Sequence, residues 1–146
     1  MKKILFLCTG NYYRSRFSEE YFNHFAGVYG IPWQADSMGI QRTFEGNGNV
    51  GPIAQNTLDK LASLSIQPLG HERFPVSFQE SHFNEFDRII AVSLDEHKPM
   101  LEEIWELGDK NVEYFDVEDL HIEGPETALP RLIIRLDNLI DLLKPA

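Results

Sequence analysis

Short apolar runs alternate along this chain with segments of helical periodicity, and this alternation constrains the fold more than any other feature. Four runs have the length and composition of strands, at residues 4–7, 35–38, 88–92 and 112–115. The first run is continuously apolar, which is typical of a strand buried on both faces of a parallel sheet. The run at residues 88–92 is the most strand-like, and we expect it to be central.

Apolar residues recur at helical spacing between and after these runs. One such segment begins at about Ser15, and the others cover residues 52–65, 94–107 and 129–143. Strands that alternate with helices predict an α/β fold with a parallel sheet. We therefore expect a single doubly wound domain over residues 1–146, with a central four-stranded parallel sheet and helices on both faces. Ligands bind beyond the carboxyl ends of the strands in such sheets.

The charge of the chain narrows the choice of partners. Thirteen Lys and Arg residues against 23 Asp and Glu residues give a net charge of −10. This charge would repel a nucleic-acid backbone, so no nucleic-acid partner is expected. No run approaches the roughly 18 apolar residues of a membrane span, so no membrane partner is expected either.

Cysteine occurs once, at Cys8, so neither an internal disulfide nor a thiolate-rich metal site can form. A reducing compartment fits this count. The chain opens with Met-Lys-Lys and four apolar residues, a run too short for the apolar core of a secretory signal. We therefore expect a cytoplasmic protein.

The first predicted strand and the first predicted helix are joined by Cys8, Thr9, Gly10, Asn11, Tyr12, Tyr13, Arg14 and Ser15. A short loop that enters a helix points backbone N–H groups into one concavity, where the helix dipole adds partial positive charge. Gly10 and Asn11 tolerate the left-handed conformations that curl such a loop, and Arg14 can present a planar fork to two phosphate oxygens. The segment is therefore predicted to be an oxyanion cradle.

The lone cysteine would lie at the floor of this cradle. Positive potential favours the thiolate form of a cysteine, which is the nucleophile that an attack on phosphorus needs. Ser15 can donate its hydroxyl to that thiolate. Taken singly, Cys8 would be a small core residue, Arg14 a surface residue and Ser15 a helix N-cap, so their joint placement carries the hypothesis.

The motif and its surroundings resemble the low-molecular-weight protein tyrosine phosphatases, a family related to an arsenate reductase branch. The resemblance rests on residues 4–11, Arg14-Ser15, Glu19, Ser37-Met38-Gly39 and residues 86–90. It implies that Cys8 is the nucleophile that forms a phosphocysteine intermediate and that Arg14 binds the phosphate. It also implies that Asn11 shapes the loop and that Ser15 donates to the thiolate. The loop residues expected to bind the substrate are Thr9, Gly10, Asn11, Tyr12, Tyr13 and Ser15.

The sequence departs from the family pattern in three places. Tyr13 replaces a frequent second cysteine, and Arg16 replaces a proline. The general acid of the family belongs to an Asp-Pro pair after the fourth strand, and here Asp116 matches the aspartate but the proline is absent. We expect Asp116 to be the general acid, with Asp119 and then Glu118, further into the same loop, as alternatives.

The sequence therefore predicts a cysteine-dependent phosphomonoesterase, active without a metal or cofactor, that acts on a phosphotyrosine protein or a small aryl phosphate. The alternative is a catalytically weak pseudophosphatase that holds a phosphorylated or other oxyanionic ligand. Tyr12, Tyr13 and the missing Asp-Pro pair favour that alternative. An arsenate reductase ranks third, because the thiol relay of one branch needs further cysteines.

A glycine pattern, the histidines and a run of carboxylates do not indicate further ligand sites. Residues 46–51 fit the Gly-x-Gly-x-x-Gly pattern of dinucleotide-binding loops, but no convincing strand precedes them. We interpret them as a loop beside the active site, in which Phe44 either packs on an aromatic substrate ring or belongs to a plain surface loop. The five histidines lack metal-ligand spacing, and the carboxylates from Asp116 onward are interpreted as a solvated face rather than a magnesium site.

Overall fold

A computed structural model describes residues 1–118 and 124–145 of the chain, without the side chain of residue 125. Its four parallel strands are β1 (Lys2–Cys8), β2 (Trp33–Gly39), β3 (Arg88–Ala91) and β4 (Glu113–Tyr114). They lie in the order β2-β1-β3-β4, so all four predicted strands and the central position of β3 are confirmed. The strand order changes direction between β1 and β3, which is where doubly wound sheets bind their ligands.

Four α-helices surround the sheet. They are α1 (Arg14–Tyr29), α2 (Gln55–Ser63), α3 (Leu94–Ile104) and α4 (Pro125–Leu143). A short 3₁₀ helix at Glu80–Asn84 was not predicted, because its five residues carry no helical apolar stripe. Within the described part of the chain, no helix has the length and apolar character needed to cross a membrane.

Side chains of β1 alternate between two buried layers. Ile4 and Phe6 pack in the layer that contains apolar residues of α1, α2 and α4. Leu5 and Leu7 pack in the other layer, which contains Leu101 of α3. Helices therefore cover both faces of the sheet, as the continuous apolar run of β1 predicted. A single domain over residues 1–146 stays a prediction.

The ends of β1 and β2 meet at one edge of the sheet, where Cys8 pairs with Gly39. A Cβ atom at Gly39 would lie 2.9 Å from the carbonyl oxygen of Thr9 and 3.0 Å from the main-chain nitrogen of Asn11. Only glycine allows this close approach. The end of β2 thus supports the loop that follows β1.

Candidate active site

A cavity of about 500 Å³ opens at the carboxyl end of β1. Its floor and one side belong to the loop between β1 and α1, with Cys8, Thr9, Gly10, Tyr12, Tyr13 and Arg14. The facing side is formed by Gln41, Asn47, Asn49, Ala54, Gln55 and Asn56. Six of the eight loop residues named from the sequence are therefore brought together around one cavity.

Cys8 is 3% exposed, and its Sγ lies 3.0 Å from the Oγ of Ser15. The Nδ2 of Asn11 donates a hydrogen bond of 2.9 Å to the same Ser15 oxygen. Because an amide nitrogen can only donate, Ser15 accepts this bond and can direct its own proton at the sulfur. This arrangement places a hydroxyl donor at the Cys8 sulfur.

Asn11 and Ser15 are fully buried and do not line the cavity. Asn11 has a positive φ of 49°, and its side chain uses both amide hydrogens and both lone pairs. Its Nδ2 donates to Ser15 and Ser37, and its Oδ1 accepts from the Nη1 of Arg73 and the main-chain nitrogen of Val76. Asn11 therefore holds the curled loop from behind rather than facing a ligand.

Arg73 and Glu19 extend this support. Arg73 Nη2 donates to Glu19 Oε1 at 3.0 Å and to Ser37 Oγ at 2.9 Å, and Ser37 donates to Glu19 at 2.6 Å. Burial raises the pKa of Glu19, although the bond from Ser37 and the charge of Arg73 oppose that rise. The sequence signature contained Glu19 without a role, and nothing in the aperiodic stretch around Arg73 pointed to it.

Hydrogen bonds to the protein hold the Arg14 guanidinium in place. Its Nη1 donates to the carbonyl oxygen of Val117 and its Nη2 to Glu96 Oε2, both at 2.9 Å. The Arg14 side chain is only 3% exposed, yet it lines the cavity. A guanidinium carries five N–H donors in a planar fork, which is the geometry in which oxyanions are bound bidentately.

Glu96, in the first turn of α3, is the centre of a small polar cluster that the sequence did not predict. Its Oε2 also accepts a hydrogen bond from the Thr9 hydroxyl and lies 2.9 Å from Nε2 of the fully buried His97. The main-chain nitrogen of Ser93 donates to His97 Nδ1, which leaves the ring proton on Nε2. Burial would raise the pKa of Glu96, but the bonds from His97 and Thr9 and the charge of Arg14 hold it well below its usual range.

Arg16, which stands where the family has a proline, is 2% exposed. Its guanidinium donates to the carbonyl oxygens of Pro52 and Gly70, both at 2.8 Å, and to that of Asn11 at 3.4 Å. Burial, followed by the charge of Arg73, lowers the pKa of Arg16 to about 10. One buried cation therefore joins three loops around the site.

Tyr12 and Tyr13 attach the facing side of the cavity to the loop. Tyr12 donates its hydroxyl to the carbonyl oxygen of Val50 at 2.6 Å and accepts from the main-chain nitrogen of Ala54 at 2.9 Å. Thr57 donates its hydroxyl to the carbonyl oxygen of Tyr13 at 3.0 Å. The residue before α2 and a residue of α2 are thereby fixed against the loop.

Asp116, the residue predicted to be the general acid, does not line the cavity. Its carboxylate forms a two-point ion pair with Arg135 of α4, with distances of 2.8 and 2.9 Å. Hydrogen bonds from Arg135 hold the pKa of Asp116 below its usual value. A carboxyl in this state is a poor proton donor, so the geometry argues against Asp116. The alternative Asp119 lies outside the described residues.

The glycine-rich residues 46–51 contribute Asn47 and Asn49 to the cavity, which confirms a loop beside the site. Phe44 does not line the cavity, and its ring lies against Gly39 instead of facing a substrate. Within residues 1–118 and 124–145, no three His, Cys, Asp or Glu side chains come together in a way that would hold a metal ion.

Comparisons with known proteins agree with the fold described above. Among solved structures, the chain is similar to a low molecular weight protein tyrosine phosphatase from T. tengcongensis, with 25% identity, a TM-score of 0.73 and coverage of 97% of this chain and 96% of that one. A YwlE mutant from Bacillus subtilis has a TM-score of 0.77 at 20% identity, covering 99% and 100% of the two chains. Wzb from Vibrio vulnificus, in complex with benzylphosphonate, has a TM-score of 0.72 at 17% identity, covering 97% and 95%. No curated protein matches the sequence.

The sheet and the loop between β1 and α1 define a cysteine-based phosphatase, and thus a hydrolase. The family model described as low molecular weight phosphotyrosine protein phosphatase matches residues 3–127, and the chain belongs to this family. The arsenate reductase branch receives no support from these comparisons.

Proposed function

We propose that this protein hydrolyses phosphotyrosine or a similar aryl phosphate through a phosphocysteine intermediate on Cys8. The observation that carries the proposal is the position of the Cys8 sulfur, 3.0 Å from the Ser15 hydroxyl at the floor of a cavity that Arg14 also lines. A thiolate held there faces the space in which a phosphate monoester would bind. The benzylphosphonate bound to Wzb of Vibrio vulnificus, a structural neighbour, supports an aryl-bearing phosphoryl group as ligand.

In the proposed reaction, the Cys8 thiolate attacks phosphorus in line with the leaving oxygen. The S–P bond forms as the bond from phosphorus to the phenolic oxygen breaks. Arg14 and the loop N–H groups stabilise the charge on the three equatorial oxygens. The main-chain nitrogens of Gly10, Asn11 and Tyr12 donate to no described residue, which supports their use as oxyanion donors. Water then attacks the phosphocysteine and releases phosphate and the thiolate.

The phenolic oxygen needs a proton as it leaves, since its conjugate acid has a pKa near 10. Asp116 is occupied by Arg135, which lowers the pKa of the Asp116 carboxyl. We therefore propose Asp119 as the general acid, three residues further along the chain. The same carboxylate would take the proton from water in the second step.

Turnover of p-nitrophenyl phosphate tests the proposal. We expect the wild-type protein to hydrolyse it in excess chelator, and we expect Cys8→Ser to bind phosphate without turnover because a hydroxyl is far less ionised than a thiol. Phosphate binding without turnover in the wild type would favour the pseudophosphatase alternative. Loss of activity in chelator and rescue by magnesium would contradict the metal-free mechanism. A cytoplasmic location stays a prediction.

A further inference from the structure

Carboxamide side chains dominate the part of the cavity lining that lies outside the loop between β1 and α1. Five of the six residues in that part carry one, and we refer to them as the carboxamide collar: Gln41, Asn47, Asn49, Gln55 and Asn56. Among the residues that the structure describes, Arg14 is the one lining residue of this cavity whose side chain carries a permanent charge. The collar itself is therefore neutral and rich in hydrogen-bonding groups.

Three members of the collar converge on one point of the phosphate loop. A Cβ atom at Gly10 would lie 3.1 Å from Asn49 Nδ2, 3.5 Å from Gln41 Oε1 and 3.6 Å from Asn47 Nδ2. These side chains are connected, because Asn47 Nδ2 donates to Gln41 Oε1 and Asn47 Oδ1 accepts from the main-chain nitrogen of Asn49. Gln41, Asn47 and Asn49 thus form a connected part of the collar next to Gly10.

The collar is attached to the loop between β1 and α1. The bonds from Tyr12 to Val50 and from Ala54 to Tyr12 tie both ends of the segment that lies between Asn49 and Gln55. An anchored collar loses less conformational freedom when a ligand binds, which favours specific hydrogen bonds. Tyr12 therefore positions the collar.

The side chains of Asn49 and Asn56 have hydrogen-bonding capacity left for a ligand. Both are exposed, and within the described part of the chain neither side chain makes a hydrogen bond. Each carboxamide offers two donors and an acceptor with two lone pairs. A matching ligand is neutral and presents both N–H and C=O groups close to a phosphoryl group.

We infer that the carboxamide collar binds the peptide main chain on either side of a phosphotyrosine, an inference that rests on the proposed function. Main-chain amides have the same donors and acceptors as the collar, and a neutral collar would accept them whatever the charge of the flanking side chains. The collar would thereby add recognition of the substrate backbone to recognition of the phosphate. A sugar phosphate, whose hydroxyls also bind carboxamides, is the competing class.

The test compares two aryl phosphates with similar leaving groups, of which only one carries main-chain amides near the phosphorylated ring. These are N-acetyl-phosphotyrosine N-methylamide and phenyl phosphate. Two neutral hydrogen bonds of about 0.7 kcal/mol each give roughly a tenfold higher kcat/KM for the amide substrate. We expect this ratio in the wild type and a ratio near one in the Asn49→Ala, Asn56→Ala double variant. Thermal unfolding of the variant checks that it is folded.

Asn111→Ala is the matched control, because Asn111 is an asparagine that lines a different cavity. The control is expected to keep the wild-type ratio. Hydrolysis of both substrates at equal efficiency by the wild type, or an unchanged ratio in the double variant, would overturn the collar while leaving the proposed function intact. A preference for glucose 6-phosphate over the amide substrate would show that the collar binds hydroxyl groups, and it would contradict binding of the peptide main chain. Failure to hydrolyse any of them would overturn the proposed function and the collar with it.

Discussion

Glu96 forms an ion pair with Arg14, with its Oε2 2.9 Å from Nη2 of Arg14. The two residues lie on different elements, Arg14 at the start of α1 and Glu96 in the first turn of α3. Because Glu96 also contacts Thr9 and His97, it couples the position of the arginine to the loop and to α3. We therefore expect Glu96 to position the Arg14 guanidinium.

Replacing Glu96 should impair catalysis without unfolding the protein. A charge-assisted hydrogen bond contributes about 1.5–3 kcal/mol, so Glu96→Gln is expected to lower kcat/KM roughly ten- to hundredfold. The matched control is Glu113→Gln, which removes the partially exposed partner of Arg88 at the opposite end of β3. Wild-type kinetics in Glu96→Gln would show that Arg14 needs no positioning by Glu96.

The same variant predicts a pH dependence of stability. The folded-state pKa of Glu96 lies below its unfolded value of about 4.3, so its contribution is fully present above that value and is lost as the pH falls through the folded value. The difference in free energy of unfolding between wild type and Glu96→Gln should be constant from pH 8 to about pH 5. It should shrink only in more acidic solution. Denaturant titrations at several pH values measure it.

Ser15 is expected to act through the cysteine sulfur, since its hydroxyl lies 3.0 Å from Cys8 Sγ. Ser15→Ala removes a hydrogen bond to the thiolate, so alkylation of Cys8 by iodoacetamide near neutral pH should slow about tenfold or more. Ser18→Ala is the control, because Ser18 is equally buried on α1 but donates to the carbonyl oxygen of Arg14. Equal alkylation rates in both variants would remove Ser15 from this role.

The identity of the general acid can be tested through the leaving group. Asp119→Asn should slow phosphotyrosine turnover much more than p-nitrophenyl phosphate turnover, because p-nitrophenolate leaves more easily without a proton. It should also remove the fall in rate at high pH. Asp116→Asn should leave that fall in place, since the lowered pKa of Asp116 keeps it ionised throughout the working range. A substrate-dependent loss confined to Asp116→Asn would return the role to Asp116.

Arg16 should contribute stability through the three loops that it joins. Arg16→Met leaves the carbonyl oxygens of Pro52 and Gly70 without their donor, and is expected to lower the free energy of unfolding by about 1–3 kcal/mol. Because the pKa of Arg16 is lowered to about 10, its burial as a cation is unfavourable below that pH, which offsets part of the loss.

The control for Arg16 is Arg42→Met. Arg42 also donates to carbonyl oxygens, those of Ile40 and Phe78, but it is exposed and does not line the cavity. Arg42→Met should lower the free energy of unfolding, measured in urea, by less than Arg16→Met does. An Arg16→Met protein as stable as the wild type would mean that the three loops hold together without the cation.

The residues that the sequence could predict are those that lie close together along the chain. Cys8, Arg14 and Ser15 share one strand, turn and helix, so their spacing along the chain predicts that they lie close together. The strands were predictable because continuous apolar runs mark burial on both faces. In contrast, α2 begins at Gln55 rather than at residue 52, since Tyr12 binds the main chain just before it.

The residues that were missed act across large sequence separations. Glu96 reaches Arg14 over 82 positions, and Arg73 reaches Asn11 over 62. Neither has a local pattern that distinguishes it from a solvated charge. Asp116 is the opposite case, because its position after β4 suggests an acid while its ion-pair partner, Arg135, lies 19 positions away on α4. Tertiary contacts, which local spacing does not encode, decide all three.

Direct detection of phosphate on Cys8 tests the central claim. The wild-type protein would be mixed rapidly with excess p-nitrophenyl phosphate, quenched in alkaline denaturant and digested, and the peptide that contains Cys8 would be analysed by mass spectrometry. We expect one phosphoryl group on Cys8 in the wild type, together with a burst of p-nitrophenolate that does not exceed one equivalent, and neither signal in Cys8→Ser. Steady turnover of the same substrate with an unmodified Cys8 and comparable turnover by Cys8→Ser would contradict the phosphocysteine mechanism.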